Sequence, residues 1–134
     1  MVYQLVSHIY PKGELIEENL RYHAENVAYA ARAAAEIGID IIKTYYTGDP
    51  GSYLKVIEAA SPSIVVVSGG PKLPNLKKMF QMTRDAIDTG ARGITYGRNV
   101  WQSEQPKIVI EALKHIRNNK GTVDEALDIV SNLK

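Results

Sequence analysis

Lys43 stands inside an apolar run, Ile39-Asp40-Ile41-Ile42-Lys43-Thr44-Tyr45. A lysine on a buried strand must be paired, neutral or at work. A desolvated amine loses its proton more readily, and the free amine attacks carbonyl carbon to form a Schiff base. The alternative is a lysine that snorkels from a strand end. Tyr10 also ends an apolar stretch. Its phenol is able to pass a proton to or from a reacting group, or to sit as an ordinary amphipathic tyrosine at the core rim. His8 shares strand parity with Tyr10, and by itself reads as a buried, hydrogen-bonded histidine.

Two loops suit an anion. Ser68-Gly69-Gly70 and Gly97-Arg98-Asn99 each follow an apolar run. Glycines let backbone N–H groups approach a phosphate, and an arginine adds a bidentate cation. Lys72 is a second cation beside the first loop, and reads more simply as a solvated loop lysine.

These residues need elements to hold them. The sequence reads as alternating strands and helices. Strands are expected over 2–10, 39–45, 63–67 and 93–96. Helices are expected over 17–37, 52–60, 76–89, 106–117 and 122–133. Ala24, Val27, Ala28, Ala31, Ala34 and Ala35 form one small-residue helical face, with Gly38 as its cap. Ser63–Val67 is continuously apolar, as in a parallel strand buried on both faces. Thr122 is an expected N-cap. The strand ends at Tyr10, Lys43, Ser68 and Gly97 are 33, 25 and 29 residues apart, the spacing of successive βα units. That is an α/β fold with a parallel sheet, either an open doubly wound sheet or part of a (β/α)8 barrel. Ligands bind at the C-terminal strand ends in both, where the polar residues cluster.

Composition narrows the function. The 134 residues carry 16 basic and 15 acidic side chains, net charge +1, which argues against a nucleic-acid binder or a charge-driven membrane binder. Hydrophobic residues make up 45% and charged residues 23%, as in one globular domain spanning 1–134. The absence of cysteine excludes disulfides, thiolate catalysis and Cys-ligated metals. His8, His23 and His115 form no metal-ligand pattern, and no Walker or dinucleotide motif is present, so no metal or cofactor is expected. No signal peptide or transmembrane run appears, and the expected location is cytoplasmic.

Four ordered motifs carry a resemblance. They are Tyr10-Pro11-Lys12-Gly13, then Asp40-Ile41-Ile42-Lys43-Thr44-Tyr45-Tyr46-Thr47-Gly48-Asp49. Val67-Ser68-Gly69-Gly70-Pro71-Lys72 and Gly97-Arg98-Asn99-Val100-Trp101-Gln102 follow. In order and spacing the chain resembles the C-terminal half of archaeal-type class I fructose-bisphosphate aldolases. That family also includes the sugar-phosphate transaldolases of archaeal aromatic amino-acid synthesis.

The resemblance implies half of a TIM (β/α)8 barrel, strands five to eight. It implies a metal-independent lyase acting on fructose 1,6-bisphosphate or dihydroxyacetone phosphate, in glycolysis and gluconeogenesis. Lys43 falls on the imine-forming lysine and Tyr10 on the proton-transferring tyrosine. Ser68, Gly69, Gly70, Gly97 and Arg98 fall on the phosphate-binding loops. The family's Asp-His-Gly acidic residue matches no position here. His8 stands where the bisphosphate aldolases often have an aromatic residue, which leaves the transaldolase reading open. An inactive half-barrel that binds sugar phosphate is the non-enzyme alternative. A half barrel has two open edges, so a homo-oligomer or a complementary N-terminal half-barrel chain is the expected partner.

Overall fold

In a computed structural model, which describes residues 3–132, four strands form one all-parallel sheet in the order β1-β2-β3-β4. They are β1 (Val6–His8), β2 (Ile41–Tyr45), β3 (Ile64–Ser68) and β4 (Gly93–Thr95). Sequential neighbours with a helical crossover between them are what successive βα units produce. The helices are α1 (Ala24–Glu36), α2 (Pro50–Ala59), α3 (Leu76–Thr89), α4 (Arg98–Trp101), α5 (Pro106–Asn119) and α6 (Val123–Asn132). No described helix is long and apolar enough to cross a membrane.

Local chemistry sets the helix ends. Asp49 caps α2 by accepting from the Ser52 amide at 2.9 Å, and Pro50 enters the first turn. Asn75 caps α3 by accepting from the Lys78 amide at 2.9 Å. Thr122 and Glu125 bond reciprocally at the start of α6, Thr122 Oγ1 accepting from Glu125 N and Glu125 Oε2 from Thr122 N. The expected caps at Gly38 and Thr122 are therefore present, Gly38 with φ +87°.

Three expectations differ in detail. The helix expected over 17–37 is interrupted. Glu18–Leu20 forms a 3-10 turn, His23 is extended at ψ 137°, and α1 begins only at Ala24, where the alanine-rich face starts. The first strand is shorter than 2–10, because its pairing with β2 runs only from Val6 to His8. The ends of the expected ranges at Val2 and Leu133 lie outside the described residues. Gly97-Arg98-Asn99 leads into a helical turn, α4, rather than remaining a plain loop.

The core lies on one side of the sheet. Ile42, Val65 and Val67 point to the helices and pack with Val27, Ala31, Tyr53 and Val56. Each buried valine or isoleucine contributes about 1.5–3 kcal/mol when taken out of water. A second cluster joins α3, α5 and α6 through Phe80, Val109, Leu113, Ile116 and Ala126. The opposite face is not covered. Alternate residues of β3, Ile64, Val66 and Ser68, are exposed or half-buried. The expectation of a strand buried on both faces is thus corrected: this chain supplies helices for one face only. The arrangement is half of a (β/α)8 barrel, with the uncovered face corresponding to the barrel interior.

Candidate active site

Strand register arranges the interior face in rows. His8 lies opposite Lys43, Lys43 opposite Val66, and Val66 opposite Gly93. The next row toward the C-terminal ends holds Tyr45, Ser68 and Thr95. Below them are Val6, Ile41 and Ile64. Lys43 is half-buried and is the only formally charged residue in the described strands. Among the described residues no carboxylate lies within ion-pair distance of it. Lys43 sits mid-strand, with Thr44 and Tyr45 beyond it.

Tyr10 arrives beside this row from the end of β1. Its hydroxyl donates to Ser68 Oγ at 3.2 Å. Its ring stacks on Tyr45 with centroids 4.4 Å apart, and Tyr45 in turn packs on Tyr22 at 4.5 Å. Burial, followed by the neighbouring phenols of Tyr22 and Tyr10, pushes the Tyr45 hydroxyl above its ordinary range, so it serves as a neutral stacking face. Lys12 places its ammonium 5.6 Å from the Tyr10 ring centroid. His8 is exposed and meets Tyr10 edge-on at 6.4 Å. The reading of His8 as a buried, hydrogen-bonded core histidine is corrected, since it projects from the uncovered face.

The two glycine loops meet through Asn99. This side chain is 6% exposed. Its Nδ2 donates to Gly69 O at 2.8 Å and Pro71 O at 3.0 Å, and its Oδ1 accepts from Leu73 N at 2.7 Å. Arg98 is exposed and donates one N–H to Gly70 O at 3.3 Å, leaving its remaining donors for another acceptor. Lys72 is exposed and donates to Gln102 O at 3.1 Å. A β-carbon on Gly69 would stand 2.9 Å from the Tyr96 ring, and one on Gly97 would stand 2.6 Å from the Trp101 ring. Gly70 has φ +61°, a left-handed conformation that glycine adopts without steric cost.

Hydrogen bonds therefore tie Tyr10 to Ser68 and Arg98 to Gly70, Asn99 holds Gly69 between them, Gly97 adjoins Arg98 in the chain, and Lys43 lies one row below Ser68. The sequence reading passed over Asn99 as a clamp and Tyr45 and Tyr22 as the stack behind Tyr10. Tyr45 was signalled by sharing the face of Lys43 two residues on. Nothing in the local sequence marks Tyr22. Among the described residues no group of histidine and carboxylate side chains is placed to hold a metal ion.

Residues 2–103 match the family described as DeoC/LacD family aldolase. The chain belongs to this aldolase family. It is 40% identical over 104 residues to an uncharacterized aldolase of Saccharolobus solfataricus, covering 78% of this chain and 38% of that protein. It is 37% identical over 118 residues to the class 1 fructose-bisphosphate aldolase of Halobacterium salinarum, covering 88% of this chain and 44% of the relative. The fold superposes with TM-score 0.81 and 35% identity on a Schiff-base-forming fructose-1,6-bisphosphate aldolase, covering 85% of this chain and 45% of that one. The chain thus spans less than half the length of these aldolases.

Proposed function

We propose that this chain carries the imine-forming half of a class I aldolase site for a phosphorylated ketose, with Lys43 as the Schiff-base lysine. The observation that carries the reading is the position of Lys43. It is the single charged side chain among the described strand residues, it faces the barrel interior, and it lies one row below a hydroxyl pair and two glycine loops.

In this reading the Lys43 amine attacks the ketone carbon of dihydroxyacetone phosphate or fructose 1,6-bisphosphate. Loss of water leaves a cationic imine on Lys43, which accepts electron density from the adjacent carbon as the C–C bond of the bisphosphate breaks or as that carbon of dihydroxyacetone phosphate loses a proton. Tyr10 moves the accompanying proton, its phenol held by Ser68. Backbone N–H groups of the Gly69-Gly70 and Gly97 loops and the free donors of Arg98 hold the phosphate, so binding energy orients the reacting carbon. The superposed fructose-1,6-bisphosphate aldolase is Schiff-base-forming, which supports this chemistry.

The test is cleavage of fructose 1,6-bisphosphate in excess chelator, comparing the chain with Lys43→Ala. Turnover that survives chelation and disappears in Lys43→Ala is expected. Turnover that persists in Lys43→Ala would overturn the assignment, as would no turnover by the assembled protein.

A further inference from the structure

Two side chains able to carry a proton flank Lys43, one toward each neighbouring strand. On the β3 side is the Tyr10 phenol, which crosses to Ser68 Oγ at 3.2 Å. On the β1 side stands His8. It is the register partner of Lys43, and the Ile9 amide fixes that pairing by donating to Lys43 O at 2.9 Å. Paired positions on parallel strands lie about 4.8 Å apart and present their side chains to the same face, so His8 and Lys43 both enter the barrel interior. The His8 ring meets the Tyr10 ring edge-on, with centroids 6.4 Å apart and planes at 64°. That contact keeps the imidazole beside the phenol at the C-terminal end of β1.

Imine formation needs its own proton transfers, before any bond to the adjacent carbon changes. The phenol held on Ser68 serves the later carbon chemistry. Imidazole gives and takes protons near neutral pH, which suits it to the earlier one.

We infer that His8 is the proton carrier for imine formation at Lys43. The amine adds to the ketone carbon, the C=O electron pair moves to oxygen, and the nitrogen becomes cationic. His8 takes one proton from that nitrogen and passes it to the oxygen, giving the neutral carbinolamine. His8 then draws a proton from solvent and delivers it to the hydroxyl. The C–O bond breaks, water leaves, and the nitrogen lone pair closes the cationic C=N bond. His8 ends neutral, and the net uptake is one proton. The same path run backwards hydrolyses the imine. This inference rests on the reading of Lys43 as the Schiff-base lysine.

The experiment is timed borohydride quenching of the protein with saturating dihydroxyacetone phosphate, which gives the rate of adduct formation on Lys43. In His8→Ala that rate is expected to fall by about 10²–10⁴-fold, the range for a positioned acid–base group. Added imidazole is expected to restore part of it in proportion to concentration, and to leave the unmodified protein unchanged. His8→Phe keeps a ring against Tyr10 and is expected to be as slow, without a response to imidazole. It also carries the test if the alanine variant does not fold. An unchanged rate in either folded variant would overturn the inference. So would a loss that more dihydroxyacetone phosphate makes good, or a slow His8→Ala that imidazole does not accelerate. These outcomes leave the role of Lys43 intact, whereas no Lys43 adduct in the unmodified protein would overturn that role and this inference with it.

Discussion

Tyr10 donates its phenolic hydrogen bond to Ser68 Oγ at 3.2 Å, although the two residues are 58 positions apart. The bond joins the end of β1 to the end of β3 across the strand that carries Lys43. It therefore ties the proton-transferring group of the proposed reaction to the loop that would hold the phosphate.

Removing the phenol separates the two steps of that reaction. Tyr10→Phe keeps the ring against Tyr45 and deletes only the hydroxyl. Turnover is expected to fall by about 10²–10⁴-fold, the usual worth of a positioned acid–base group, while imine formation at Lys43 persists. Steady-state rates and imine trapping on the same variant check this. Equal loss of both would show that Tyr10 only supports the fold.

Arg98 is expected to act in binding. Arg98→Ala removes an exposed guanidinium that gives one N–H to Gly70 O. A hydrogen bond to a charged partner is worth about 1.5–3 kcal/mol, so kcat/KM for the phosphorylated substrate should fall by about 10–100-fold. Arg98→Lys keeps the charge without the fork and should fall between. Titration of inorganic phosphate against each variant reads the same effect without turnover.

Asn99 should matter to stability and to phosphate affinity together. Asn99→Ala leaves Gly69 O without its side-chain partner in a buried setting, and Pro71 O and Leu73 N without theirs in part-buried ones. Each buried group left unpaired costs about 1–3 kcal/mol. Denaturant unfolding should show a loss in at least that range, with weaker phosphate binding. Asn99→Asp retains the acceptor for Leu73 N and loses both donors, so it should be intermediate.

Acid should weaken α2 through its cap. The side-chain hydrogen bond from Ser52, followed by the Ser52 amide, holds the Asp49 carboxyl below its ordinary value of about 3.8. A carboxyl whose folded value is depressed contributes stability that is fully present above the unfolded value. That contribution is lost as pH falls through the folded one. Thermal unfolding followed downward from pH 5 should therefore steepen below about pH 4. Asp49→Asn should flatten that limb, and an unchanged acid limb would remove Asp49 from the account.

Much of this was legible in the sequence because each signal was local. The spacing of Tyr10, Lys43, Ser68 and Gly97 marked four βα units, and all four strands are present. Thr122 and Gly38 announced helix ends through their own hydrogen-bonding and backbone preferences. What escaped depends on distant partners. The break before α1 appears where Asn26 Nδ2 bonds Leu20 O at 3.0 Å and His23 turns extended, while the apolar period continues through it. The stack of Tyr22 on Tyr45 joins residues with no shared pattern. Ile64 and Val66 read as doubly buried because the amino-acid types suit a complete barrel. This chain contributes only one side of it.

The most direct measurement is borohydride reduction of the protein with dihydroxyacetone phosphate, followed by peptide mass spectrometry. The expected result is a reduced adduct on the peptide bearing Lys43, absent in Lys43→Ala and suppressed by inorganic phosphate. An adduct on another lysine, or none on the assembled protein, would contradict the assignment of Lys43 as the imine-forming residue.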